Sequence, residues 1–262
     1  MSAAAALLAP DEPAPFVVER AAATSPWFLT CDHGGTAIPR ALGDLGVSRA
    51  DRLRHVGWDI GALALARTLA VRLDAVLVHQ PYSRLVIDCN RPWTSPQLVP
   101  ERSENVVVPG NRALDRVARR ARYDAIHQPY HDAITRLLDL RRDADRDTVY
   151  LAVHSFTPVY HGEQRPWPVA VLYGDDRRLA AGLIAALAAA GDLVVGDNQP
   201  YRIDAEDYGI PVHGLGRGLA NALLEVRQDQ LATPAGIAEW AERLAICLEK
   251  ARVAANFVAG QK

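Results

Sequence analysis

Seven short, almost wholly apolar runs punctuate the chain: WFLTC (27–31), AVLVHQ (75–80), RLVIDC (84–89), TVYLAVH (148–154), PVAVLY (168–173), DLVVGD (192–197) and NALLEVR (221–227). Runs of this length without a polar alternate read as strands buried on both faces, the pattern of parallel sheets covered on each side. Between them lie helix-period stretches over about 60–73, 112–143, 176–190 and 234–256, long enough for the crossovers that parallel strands require. The chain therefore reads as α/β, a three-layer sandwich around a mostly parallel sheet. At 262 residues it has the size of one domain, placed over 25–262. Residues 1–24, rich in Ala and Pro, read as a flexible arm in which PFVVER leaves room for an edge strand.

Composition narrows the function classes. With 49% apolar and 23% charged residues the chain can bury a sizeable core, which excludes wholesale disorder. Lys plus Arg number 29 against 31 for Asp plus Glu, a net charge of −2, so no global field attracts nucleic acid or an anionic membrane. The arginines of RALDRVARRAR (112–122) recur on helical faces without interleaved aromatics, and they read as a solvated face. No apolar stretch reaches the roughly 18 residues of a membrane helix. Cys31, Cys89 and Cys247 lie far apart without a CxxC pair, which argues against a thiolate zinc site or a disulfide framework and fits a reducing cytoplasm. The N-terminal apolar run has no basic residue before it and makes a poor signal peptide. The oligomeric state is left open.

Ligands of open α/β sheets bind beyond the carboxyl ends of the strands. The residues that follow the apolar runs are chemically loaded: Asp32, His33 and Gly34-Gly35 after the first, Asn90 and Arg91 after RLVIDC, His154 and Ser155 after TVYLAV, Glu225 and Arg227 after NALL. Two histidines with one carboxylate form a nitrogen and oxygen set suited to zinc, with a fourth position for water. Asp59 in HVGWDIGA is the carboxylate candidate, with Asp32 behind it, although the sequence pattern alone favours Asp59 as the N-cap of the helix that follows. Each histidine alone reads as a satisfied loop or core residue, and only their joint placement raises the metal reading. A serine triad around His154-Ser155 lacks a GxSxG elbow. GLGRG (214–218) lacks the spacing of a phosphate loop and reads as a tight turn. In HQPYH (127–131), Pro129 is expected to break the helix and spoil the i,i+4 spacing, leaving His127 and His131 as helix-boundary hydrogen bonders. The Pro- and Gly-bearing stretch from Pro92 to Gly110 reads either as a pocket wall or as an inert surface excursion.

Taken in order, DHGGTAIP (32–39), HVGWDIGA (55–62), YSRLVIDCNRP (82–92), PYH (129–131), HSFTP (154–158), RPWPVAVLY (165–173), GDNQPY (196–201) and LLEVRQD (223–229) resemble the N-formylglutamate amidohydrolase family over about residues 28–250. That family is similar in fold to zinc carboxypeptidases and aspartoacylases, which implies a phosphorylase/hydrolase-like α/β/α sandwich with a mostly parallel mixed sheet, and a Zn2+-dependent hydrolase of linear amides. The resemblance implies His33 and His154 as metal ligands. The wider group carries a glutamate three residues after the first histidine where this chain has Thr36, and the resemblance suggests that Asp59 supplies the third ligand instead. It further implies that Arg84 polarises the scissile carbonyl, that Asn90 and Arg91 hold a substrate carboxylate, and that Glu225 is the general base. Pairing with Asp88 or other acids is the alternative for Arg84 and Arg91, and a salt bridge to Arg227 is the alternative for Glu225. Arg165, Arg217 and His213 are further candidates for a second carboxylate. The implied substrate is a small N-acyl or N-formyl amino acid; a peptide or cell-wall amidase, and a non-catalytic binding protein with a decayed metal site, are the other readings.

Overall fold

The computed structural model describes residues 7–259, with side chains through residue 255. Its centre is a seven-stranded sheet formed by β1 (Val17–Glu19), β2 (Trp27–Cys31), β3 (Val76–His79), β4 (Val149–Phe156), β5 (Val169–Leu172), β6 (Val195–Asp197) and β7 (Ala220–Arg227), in the order β1-β3-β2-β4-β7-β5-β6. The β1–β3 and β7–β5 pairings are antiparallel and the other four are parallel. The sheet is thus mixed and mostly parallel, in an α/β fold. The parallel register sets Glu225 opposite His154 on neighbouring central strands.

Alternation along β4 and β7 divides the core. Leu151, Val153, Ala222 and Leu224 face a layer built by α1 (Ala62–Arg72), α4 (Arg178–Ala188) and α5 (Pro234–Ala259). Tyr150, Ala152 and Leu223 face the opposite layer, where α3 (Gln128–Asp143) lies with the loops around residues 82–108. His154 and Glu225 share the period-2 face of Ala152 and Leu223, so the chemistry emerges on the loop-covered side.

RLVIDC, expected as a strand, is a series of buried turns instead. Its backbone groups bond to loops: Arg84 N–H donates to Gly57, Val86 N–H to Ser83 and Asp88 N–H to Leu98. The apolar run reflects burial of Leu85, Val86 and Ile87 as a covering layer, which periodicity alone does not distinguish from a strand. Residues 7–24 are held against the body: β1 pairs with β3, the Tyr82 hydroxyl donates to the Pro13 carbonyl at 2.6 Å, and Leu7, Leu8 and Phe16 pack on the loop-side core.

The basic helix α2 (Arg116–Arg122) is only partly a solvated face. Arg122 is fully buried and donates to the carbonyls of Val86 and Gly110 and to Asn111 Oδ1, while Arg119 donates to the carbonyls of Trp93 and Ser95. The long covering loop leaves buried carbonyls without ladder partners, and these two guanidinium groups supply the donors. Pro129 does not separate His127 from His131. A π-helical turn over Tyr123–His127 runs into α3, Pro129 is accommodated just after that turn, and the two rings meet at a tilt of 50° with centroids 4.4 Å apart.

Replacing Arg122 by Leu orphans the buried acceptors of Val86 and Asn111 and loses the bond to the Gly110 carbonyl, and it is expected to cost about 3 kcal/mol in urea unfolding, against less than about 0.5 kcal/mol for Leu at exposed Arg116. Equal stability of the two variants would remove Arg122 from the core framework.

Candidate active site and metal centre

A cavity of about 780 Å³ opens beyond the carboxyl ends of β2, β4 and β7, with His33, Asp59, Arg84, His154 and Glu225 in its lining. The stretch from Pro92 to Gly110 contributes Gln97, Pro100 and Arg102 to its wall, so that loop is a pocket wall. His33 follows the end of β2, and its carbonyl accepts the Asp59 N–H at 3.0 Å, which draws the HVGWD turn beneath the ring. Gly35 is required there: a Cβ at that position would lie 1.8 Å from the Pro81 carbonyl oxygen.

The Asp59 side chain does not cap α1, whose N-cap is Gly61 with no side-chain bond. Its Oδ2 lies 2.8 Å from His154 Nδ1 and 3.4 Å from His33 Nδ1, and it accepts the Ser155 N–H at 3.3 Å. His33, Asp59 and His154 each offer a ligand atom, all within 4.8 Å of one another and all buried. The far nitrogen of each ring meets a second carboxylate: His33 Nε2 lies 2.7 Å from Asp88 Oδ1, and His154 Nε2 lies 3.3 Å from Asp32 Oδ2. That last contact is an ion pair without hydrogen-bond alignment, since both atoms lack an aligned partner. Asp32 also accepts the Tyr130 hydroxyl at 2.5 Å and therefore stands behind the His154 ring, away from the convergent donors. A carboxylate on the outer nitrogen fixes the orientation of a metal-ligating histidine.

Electrostatics point the same way. Burial disfavours charge on both rings, and Arg84 opposes it on His33, yet the flanking carboxylates raise His33 and hold His154 well above the usual imidazole range. Burial likewise disfavours ionised Asp59, but the two histidines drive its pKa far down. The donor set attracts positive charge to its centre, and its hard and borderline donors fit a divalent metal such as zinc.

Glu225 is buried and its Oε2 has no hydrogen-bond partner. Burial pushes its carboxyl up to about 7; His154 opposes this and Asp59 reinforces it. Arg227 pairs with Asp229 at 2.7 Å, so the salt bridge considered for Glu225 is absent among the described residues. Arg84 binds Asp88 through Nε and Nη2 at 3.1 and 2.7 Å and approaches Asp59 at 3.4 Å. Arg91 pairs with Asp207 at 2.9 Å.

The other proposed cations are not in the lining. Arg217 pairs with Asp139 of α3 at 2.7 Å. His213, in a π-turn over Ile210–Gly214, faces inward onto His131 at 2.9 Å, and burial lowers its pKa to about 4, so it is neutral. Arg165 stands behind the wall, donating to the Tyr201 hydroxyl at 2.7 Å with Tyr160 and Tyr201 on its faces. Side-chain direction in such irregular turns has no sequence period, which is why these placements were not legible. The cavity residues Tyr201, His55 and Glu104 carried no sequence signal; Asp88 is the partner of Arg84 that the sequence offered as an alternative, but its contact with His33 was hidden inside the run read as a strand.

His154→Ala is expected to abolish metal retention in elemental analysis, and Asp59→Asn to reduce it severely. Asp32→Asn should weaken affinity by about 10- to 100-fold and keep the stoichiometry. Normal loading of Asp59→Asn with an empty Asp32→Asn would reverse the assignment of the carboxylate.

Comparison with known proteins bears on the family and the fold. The family model for N-formylglutamate amidohydrolase matches residues 25–232. A solved gene product of Agrobacterium tumefaciens is 39% identical with a TM-score of 0.92, covering 94% of this chain and 98% of that one. An N-formylglutamate amidohydrolase from Ralstonia eutropha shares the fold at 19% identity and a TM-score of 0.69, covering 92% of this chain and 98% of that one. No curated protein matches. An α/β chain matched over most of its length, with a buried His-Asp-His cluster beside a glutamate at its strand ends, belongs to the N-formylglutamate amidohydrolase family.

Proposed function

We propose that this amidohydrolase is zinc-dependent and cleaves the linear amide bond of a carboxylate-bearing N-acyl or N-formyl amino acid of the N-formylglutamate type. The observation that carries the reading is the juxtaposition of the His33–Asp59–His154 donor set with Glu225, which lines the same cavity and keeps one buried carboxylate oxygen without a hydrogen-bond partner. His33, Asp59 and His154 would hold the zinc, which would supply Lewis acidity at the amide carbonyl and acidify water. Glu225 accepts the proton of the attacking water and delivers it to the amine nitrogen, because expulsion of an unprotonated amide anion is prohibitive. A carboxyl held near 7 suits both halves of that transfer at neutral pH. Arg84, fixed by Asp88, presents its guanidinium at the cavity where negative charge develops on the carbonyl oxygen. Arg102 and Arg202 add cationic character toward an anionic substrate.

A peptide or cell-wall amide is the second reading, favoured by the size of the cavity, which is in the upper part of the range that encloses drug-sized ligands. The non-catalytic reading prompted by Thr36 loses its motive where Asp59 completes the donor set. No helix among the described residues is long and apolar enough to cross a membrane, and the three cysteines are free and buried; a cytoplasmic location is part of the proposal.

Zinc-loaded protein assayed on a panel of N-acyl amino acids is expected to turn over N-formyl-L-glutamate. Turnover of short peptides alone would transfer the assignment to the second reading. Glu225→Gln should lose roughly 10²-fold or more in kcat while zinc content and Tm stay near wild type. Loss of zinc in that variant would make Glu225 a ligand.

A further inference from the structure

Asn90 and Arg91 sit where the family resemblance implies a grip on the substrate carboxylate, yet the Asn90 amide and Arg91 Nη1 are already engaged by the chain itself. Asn90 Oδ1 accepts the N–H groups of Tyr208 and Gly209 at 3.1 and 2.9 Å, and its Nδ2 donates to Asp207 Oδ1 at 3.1 Å. Arg91 Nη1 donates to Asp207 Oδ1 at 2.9 Å and to the Glu206 carbonyl at 2.8 Å. Ser95 adds a bond to the Glu206 carboxylate. Both lone pairs of the asparagine carbonyl and both hydrogens of one guanidinium nitrogen are thus spent. A substrate carboxylate at the rest of the Arg91 fork would share that cation with the Asp207 carboxylate and meet its like charge.

The turn that carries these two residues is fixed from beneath. Asp88 Oδ1 accepts the Asn90 N–H at 2.9 Å while binding His33, His131 Nε2 bonds the Cys89 carbonyl at 2.7 Å, and His127 Nε2 bonds the Arg91 carbonyl at 3.0 Å. A continuous path of hydrogen bonds therefore runs from His33 through Asp88 and Asn90 to the segment at 206–209. The chain just before that segment supplies Asn198, Tyr201, Arg202 and Asp204 to the cavity wall.

We propose that Asn90 and Arg91 are positioning residues, a latch that fastens the 198–209 wall to the His33 side of the site, and that Asp207 is the carboxylate Arg91 binds. Their relation to substrate rests on the amidohydrolase reading of the cavity; the latch itself does not. Recognition of the substrate carboxylate then falls to other cavity cations, and Arg91 influences turnover through the wall.

The test pairs hydrogen–deuterium exchange with kinetics on wild type, Arg91→Met, Arg91→Lys and Asp207→Asn. A latch predicts exchange over 198–209 faster by about tenfold or more in Arg91→Met and in Asp207→Asn. Arg91→Lys should be intermediate, because an ammonium still reaches Asp207 without the planar fork. With N-formyl-L-glutamate and its α-carboxamide as probes, kcat should fall in parallel and the carboxylate preference should stay within about twofold of wild type. Wild-type exchange in Arg91→Met together with loss of the carboxylate preference would overturn the proposal, as would a lower KM for the carboxylate in Asp207→Asn. Should Arg91→Met fail to fold, the Lys and Asn variants decide by exchange. Absence of any amide hydrolysis would count against the proposed function and leave the exchange result to judge the latch.

Discussion

One alternating series of charges organises the loop-side end of the sheet. Arg84 meets Asp88, Asp88 meets His33, His33 and His154 share Asp59, and His154 meets Asp32, which ends on the Tyr130 hydroxyl. Every acid and histidine in that series is buried. Removing a carboxylate or an imidazolium from water costs several kcal/mol unless an opposite charge and hydrogen bonds compensate, so no member is stable in place without its neighbours. The alternation also explains why four separate chain segments converge. Each brings one or two charges that the others require, and the HVGWD turn, the 84–91 turns, the end of β2 and the end of β4 are held together by that mutual dependence.

The parts of this arrangement that were legible in the sequence are those governed by strand geometry. His33, His154 and Glu225 follow or end apolar runs, and a parallel sheet collects such positions at one edge. Asp59 was readable as a carboxylate near that edge, though its alternative as a helix cap could be settled only by the direction of its side chain. The run RLVIDC reads as a strand because burial and strand formation leave the same apolar trace, so Asp88 was legible as a partner of Arg84 but not as the carboxylate behind His33. Asp207 and Tyr201 lie in an irregular segment without period, and their partners are more than a hundred and about thirty-five residues away respectively. Arg217 and His213 carried the right chemistry in a segment whose π and 3-10 turns aim them elsewhere.

Histidine serves this fold in two opposite electrostatic settings. His33 and His154 lie among carboxylates that raise their proton affinity. His127, His131 and His213 lie among aromatic rings and backbone carbonyls, where burial lowers their pKa and keeps them neutral. A neutral imidazole can donate from one nitrogen and accept at the other, which lets the second group brace the 89–91 carbonyls without adding charge beside Asp32.

The π-helical turn between α2 and α3 sets the phase between two functions of one continuous helix. At 100° per residue, Arg122 and His131 would project about 180° apart on a regular α-helix. The extra residue accommodated at Tyr123–His127 takes back about 100° of that angle, so that the guanidinium bracing the covering loop and the imidazole bracing the 89–91 turn both look inward. The length of this segment is accordingly a gauge of rotation. A chain of this length wound there as a regular helix would turn one of the two braces out to solvent, whereas a chain one residue shorter would regain a regular helix with both braces still in phase; the π-turn thus absorbs one residue without altering the rotation between them.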